Sequence, residues 1–154
     1  MKPLSMNPRL LLRTAAVVAL LLGVGHSLGA PWTPVLGPAE RVVIDAMKSD
    51  QFAVMGDTRS YWNFYVGFGW SISVYLVAQA IVLWQLAAQA KRDPRGVRPM
   101  VIVFLACTLF TAAIAWKYIL AVPVLFCVVL AVLLALSARA CGRAPNDYVL
   151  APSK

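Results

Sequence analysis

The feature of this sequence that most constrains its fold is the run from Ser60 to Ala90, which contains no Asp, Glu, Lys or Arg. As an α-helix this run is about 46 Å long, whereas the hydrocarbon core of a bilayer is about 30 Å thick. A soluble domain built from so short a chain has too little interior to bury such an element. The run therefore predicts a transmembrane helix that tilts in the bilayer or projects beyond it at one end.

Two further stretches are apolar over the length of about 17–25 residues that a crossing needs. The first covers residues 14–30, and it extends to Leu10 if Arg13 directs its guanidinium toward the interface. The second covers residues 99–138, carries one charge, Lys117, and is long enough for two crossings. Composition agrees, because 61% of the residues are hydrophobic, against roughly 45–50% in soluble proteins.

We therefore predict an all-α polytopic membrane protein, with residues 1–154 forming a single four-helix membrane domain. The predicted transmembrane helices lie near 10–30, 60–88, 99–118 and 120–138. Residues 31–59 form the connection between the first two helices.

Basic residues fall mainly on one side of this arrangement. Ten of the 14 lie at the two termini or between the second and third helices: Lys2, Arg9, Arg13, Lys91, Arg92, Arg95, Arg98, Arg139, Arg143 and Lys154. The positive-inside rule then places both termini in the cytoplasm and residues 31–59 outside. The net charge of +8 is a topology signal on this interpretation, and nucleic acid is not an expected partner.

The first apolar run has an alternative interpretation as a secretory signal peptide, because basic residues precede it. A cut after Ala30 would have the large residue Leu28 three positions back and Pro31 directly after it. Small residues are typical of such cleavage sites, so the sequence favours a retained helix. The three cysteines have no paired spacing, and neither a disulfide framework, a metal site nor a cofactor is expected.

Residues 31–59 also carry structure of their own. Pro38 near the start and Gly56 as a stop predict a short external helix over Pro38–Met55. Its apolar side, with Val43 and Met47, favours an amphipathic helix lying on the membrane surface. The alternative is a lid over an opening in the bundle.

Polar side chains collect where the helices meet the external face. His26 is the one group within a span that titrates near neutral pH, which makes it the candidate catalytic residue. Arginine and tyrosine supply donors to an anion or a carbonyl group. The candidate ligand-binding residues are Asp57, Arg59, Tyr61, Tyr65 and Lys117. We predict that His26, Arg59 and Tyr65 converge there, with Asp57 or a tyrosine hydroxyl holding the histidine in one tautomer.

Each of these residues also has a structural interpretation. A membrane histidine often hydrogen-bonds a neighbouring helix, at roughly 1 kcal/mol, Asp57 is placed to cap a helix, and Lys117 is placed to anchor one at the interface. Packing against a second helix is expected at four glycines, Gly25, Gly29, Gly67 and Gly69. One face of the second helix is expected to point into the bundle, where it either lines a pocket or joins helices: Tyr61, Tyr65, Phe68, Ile72, Tyr75 and Gln79.

The run from Arg59 to Gly69, RSYWNFYVGFG, together with Gly25 and His26 upstream, resembles a group of small bacterial inner-membrane proteins. These proteins have four helices and no assigned activity, and they are similar in plan to the DoxX-like proteins. The resemblance covers nearly the whole chain in layout, but it is specific only in these two stretches. It implies a four-helix bundle in a bacterial inner membrane and brings no catalytic residue.

Two functions from different classes remain open. The first is a non-enzymatic accessory protein that binds lipid or a membrane-protein partner through its helices; the near absence of ionisable groups in the spans favours it. The second is a membrane enzyme or binding protein for a small apolar molecule, with His26 as acid and base and Arg59 holding the ligand.

Overall fold

The computed structural model of this protein describes residues 6–29 and 37–143. Their elements, in chain order, are α1 (Pro8–Leu28), α2 (Pro38–Ser49), β1 (Gln51–Val54), β2 (Asp57–Ser60), α3 (Tyr61–Gln89), α4 (Pro94–Tyr118) and α5 (Ala121–Arg143). Within the described ranges, α1, α3, α4 and α5 are long and apolar enough to cross a membrane. This confirms the predicted all-α class with a four-helix bundle, and the protein is a multi-pass membrane protein. Pro31, the proposed cleavage site beside it, and the terminal lysines Lys2 and Lys154 lie outside the described residues.

The third transmembrane helix begins earlier than expected, at Pro94 rather than near residue 99. Asp93 forms its cap, because the Asp93 side chain accepts a hydrogen bond of 2.8 Å from the Gly96 backbone N–H. Proline suits the first turn of a helix, where its missing N–H leaves no bond unmade. The fourth helix continues to Arg143 instead of ending near residue 138, and a cation there is favourable beside the negative end of the helix dipole.

The segment before α3 is not the single helix predicted over Pro38–Met55. Helix α2 ends at Ser49, and β1 then pairs antiparallel with β2, Phe52 lying opposite Arg59. Met55 and Gly56 connect the strands, and both have positive φ, of 51° and 88°. Two consecutive left-handed residues define a type I′ hairpin turn, whose twist matches that of the strands. Gly56 therefore closes a hairpin rather than stopping a helix.

The described residues belong to two compact units. The first, which we call the basic unit, consists of the chain up to Leu20 and from Gln79 onward. Its core draws on all four long helices: Leu12, Ala15, Ala16, Ala19, Ala80, Leu83, Leu86, Ala87, Ala90, Val97, Val101, Leu130, Leu134, Ala138 and Cys141. The many alanines let helix backbones approach closely, as is usual for membrane helices. At the edge of this unit, the Arg13 guanidinium lies 5.0 Å from the centroid of the Trp84 ring.

The hairpin unit extends from Leu21 to Ala78. It contains the last turns of α1, the whole of α2 and the hairpin, and the first half of α3. Helix α2 has no fully buried residue, and Val42 and Val43 are exposed. The candidate site residues other than Lys117 all belong to this unit.

Candidate functional site

His26 contacts α3 through a backbone carbonyl. Its Nε2 lies 3.1 Å from the carbonyl oxygen of Gly69, and because a carbonyl only accepts, Nε2 must carry the proton in this bond. While the bond is made, Nε2 cannot take up a proton as a general base. The predicted structural role of a membrane histidine, bonding a neighbouring helix, therefore has a defined partner.

Two serines extend the same contact between α1 and α3. The Oγ atoms of Ser27 and Ser73 lie 3.0 Å apart, within hydrogen-bond distance. Ser27 Oγ is also 2.7 Å from the carbonyl oxygen of Gly23, one turn back in its own helix. Ser73 is buried, with 5% of its surface exposed. Together Gly23, His26, Ser27, Gly69 and Ser73 form a small polar contact, which we call the α1–α3 polar seam.

A glycine of α1, Gly23, allows this close approach, and it is not one of the glycines for which packing was predicted. A Cβ atom at Gly23 would lie 3.2 Å from the Cβ of Leu76, whereas at Gly25 or Gly67 it would meet no described atom within 4 Å. At Gly29 the nearest atom is the Gly25 carbonyl oxygen of the same chain segment. The predicted packing at Gly25, Gly29 and Gly67 is therefore wrong. Small residues in two Gly-x-x-x-Ser pairs, Gly23–Ser27 on α1 and Gly69–Ser73 on α3, make the contact instead.

Arg59 and Asp57 are brought together on strand β2. Arg59 Nη2 lies 3.1 Å from Asp57 Oδ2, and Arg59 Nη1 donates to the carbonyl of Thr58 at 2.9 Å. Both side chains are well exposed, so the ion pair contributes about 0–1 kcal/mol. The Arg59–Asp57 ion pair lies within strand β2 of the hairpin. The His26–Gly69 hydrogen bond, in contrast, joins α1 to α3.

Asp57 is not a helix cap, because it lies within the strand. The cap of α3 is Ser60, whose backbone N–H donates to Asn63 Oδ1 at 2.9 Å. In return, the Asn63 backbone N–H donates to Ser60 Oγ at 3.3 Å. This reciprocal arrangement is a capping box with asparagine in the position usually taken by glutamate or glutamine.

Tyr61 and Tyr65 belong to an aromatic group at the start of α3. The Tyr61 ring centroid lies 5.0 Å from that of Phe52, and the Tyr65 centroid lies 5.6 Å from that of Trp62. Lys48 Nζ is 4.9 Å from the centre of the Trp62 ring, so α2 joins this group through a cation–π contact. The aromatic group therefore connects the hairpin and α2 to the start of a transmembrane helix.

The tyrosine-bearing face of α3 is exposed, contrary to the prediction that it points into the bundle. Phe68 is 65% exposed and Tyr75 is 74% exposed. Each lies one residue before a residue of the packed face, Gly69 and Leu76, which corresponds to a rotation of about 100° around the helix. Helix α3 turns its small residues toward α1 because only they admit a second backbone.

Lys117 belongs to the basic unit, at the last turn of α4, where its Nζ lies 5.0 Å from the centre of the neighbouring Tyr118 ring. No group of three or more His, Cys, Asp or Glu side chains in the described ranges is placed to hold a metal ion. The chain matches no known protein family, no curated protein and no solved structure.

Two residues of these contacts, Ser27 and Ser73, and the capping role of Asn63 escaped the sequence-based prediction. The Gly-x-x-x-Ser spacing in the first two long helices was available as a signal for the two serines. The Ser-x-x-Asn spacing before α3 was a signal for the cap.

Proposed function

We propose that this protein is a non-enzymatic accessory protein of a bacterial inner membrane, which binds lipid or a membrane-protein partner through its helices. The observation that carries the proposal is the bond between His26 Nε2 and the Gly69 carbonyl. It gives the chain's single histidine a structural partner on α3 and engages its Nε2 as a hydrogen-bond donor.

The membrane location and orientation are part of the same proposal. Four long apolar helices support insertion into a bilayer, and the one-sided distribution of basic residues supports cytoplasmic termini. The plan of four helices also agrees with the resemblance to the DoxX-like proteins. The wide exposure of large apolar side chains, such as Tyr75 at 74% and Trp116 at 79%, offers surfaces to lipid or to a partner helix.

Two substitutions of His26 test this proposal. In His26→Gln the amide nitrogen can still donate to the Gly69 carbonyl, whereas His26→Ala removes the donor. We expect the alanine variant to unfold at a lower temperature in detergent, by a loss of roughly 1 kcal/mol. The glutamine variant should retain most of the stability, because the hydrogen bond rather than the imidazole is what matters.

The alternative, an enzyme or binding protein for a small apolar molecule, predicts a different result. An organic extract of the purified protein would then contain a non-lipid compound by mass spectrometry. That compound would be lost from both His26→Gln and Arg59→Gln at unchanged thermal stability, while Arg41→Gln, an exposed control on α2, would retain it. This combination would replace the accessory role with the ligand site.

A further inference from the structure

The basic unit contains a cavity of about 640 Å³ between the start of α4 and the end of α5. Its described lining consists of Arg95, Arg98, Pro99, Ile102 and Gly142. None of these residues is among the candidate site residues of the hairpin unit. We call this cavity the arginine cleft.

The two arginines share one face of α4, because residues three apart in a helix are neighbours. The Arg98 guanidinium lies directly against the backbone of Gly142. A Cβ atom at position 142 would come within 3.2 Å of Arg98 Nε and 3.3 Å of Arg98 Cζ. A Cβ at 142 would require the guanidinium to shift by a few tenths of an ångström, and a larger side chain there would displace it further.

The Arg98 guanidinium is not neutralised by a described carboxylate. Asp93 is the one acidic residue in the described part of the basic unit, and its Oδ1 accepts from the Gly96 backbone N–H at 2.8 Å. Arg98 makes no hydrogen bond or ion pair with any residue in the described ranges. Its planar fork of five N–H donors is therefore available to an anion, and it matches the geometry of a phosphate group.

The cleft becomes apolar with distance from the helix end. Pro99 and the exposed Ile102 continue the same face of α4 beyond the arginines. Helix α4 has 25 residues, about 37 Å, and so exceeds a hydrocarbon core of about 30 Å by one to two turns. The arginines at its first turns then lie at headgroup level, with Ile102 at the level of the acyl chains.

We propose that the arginine cleft binds the phosphodiester of an anionic phospholipid, with the adjoining acyl chain lying along Pro99 and Ile102. A site with a cationic end and an apolar wall fits an amphiphile better than a free ion, and basic pockets between transmembrane helices are a known mode of headgroup binding. The proposal names the lipid class of the accessory function above, and rests on that function only for the membrane location.

The test measures lipid binding to the purified protein in detergent by native mass spectrometry. Phosphatidylglycerol is compared with phosphatidylcholine of the same acyl chains. We expect preferential binding of phosphatidylglycerol to the unaltered protein. Arg98→Gln should weaken this binding by about fivefold, since a basic residue near a membrane surface contributes about 1 kcal/mol. The double variant Arg95→Gln/Arg98→Gln should weaken it at least as much. Gly142→Leu should weaken it without any change of charge.

The matched control is Arg92→Gln/Arg139→Gln, which removes two exposed charges that do not line the cleft. Equal binding of the two lipids, or an equal loss in the control variant, would overturn the proposal.

Inorganic phosphate and glycerol 3-phosphate are tested as competitors in a third experiment. Displacement of phosphatidylglycerol by millimolar inorganic phosphate would identify a free-phosphate site and overturn the lipid assignment. If Gly142→Leu does not fold, the arginine pair decides. The lipid-binding measurements do not use the His26 variants. Failure of the lipid site can therefore be distinguished from failure of the accessory role.

Discussion

His26 Nε2 lies 3.1 Å from the carbonyl oxygen of Gly69, a residue that has no side chain to hold α1 at a distance. Within a membrane span, where water does not compete, such a bond cannot be exchanged for hydration. The Ser27–Ser73 contact follows one residue later along α1. The polar side chains of His26, Ser27 and Ser73 therefore join two helices.

The first prediction concerns the glycine at this contact. Gly23→Leu should destabilise the protein by about 1–3 kcal/mol, because the added side chain overlaps Leu76 in a packed region. Gly67→Leu is the matched control, since a Cβ there meets no described atom within 4 Å. Thermal unfolding in one detergent measures both. Equal melting temperatures for the two variants would contradict the packing described here.

The second prediction concerns the hairpin turn, where Met55 and Gly56 have positive φ. Gly56→Ala should destabilise the hairpin by about 1–2 kcal/mol, because a Cβ is disfavoured in the left-handed region. Met55→Asn should stabilise it, since asparagine is favoured in this position of a type I′ turn. Hydrogen exchange of the amides of residues 51–60, followed by mass spectrometry, measures both effects. Slower exchange in the alanine variant would show that the turn has another form.

Sequence patterns predicted the four long helices because apolar length alone specifies a membrane span. They did not predict the hairpin, because Met-Gly lacks the Asn-Gly signal and Gln51–Val54 can continue the pattern of α2. Spacing offered both Gly25–Gly29 and Gly23–Ser27 as packing pairs, and the choice depends on which face of α1 meets α3. His26 was identified as unusual from its position in a span. Its partner was not, because every residue of α3 carries a carbonyl group.

The third prediction distinguishes the observed helix cap from the expected one. Ser60→Ala should cost about 0.5–2 kcal/mol of stability, because it removes the acceptor for the Asn63 backbone N–H. Asp57→Asn should cost less, since it affects only an exposed ion pair worth about 0–1 kcal/mol. Thermal unfolding again provides the measurement. A larger loss for Asp57→Asn than for Ser60→Ala would restore Asp57 as the more important residue at the start of α3.

The final prediction tests the orientation, and the structure determines which positions can report it. Cys141 has 0% exposure and would resist a thiol reagent on either side of the membrane, so its silence carries no information. Ser49, at the end of α2, and Lys91, after α3, are both exposed. In a chain with all three native cysteines replaced, Ser49→Cys should react with an impermeant reagent in spheroplasts. Lys91→Cys should react only after the membrane is opened, because the positive-inside rule places the basic residues from Lys91 to Arg98, at the α3–α4 connection and the start of α4, on the cytoplasmic side. Labelling of Lys91→Cys in intact spheroplasts, with Ser49→Cys protected, would reverse the orientation and move the arginine cleft to the outer leaflet.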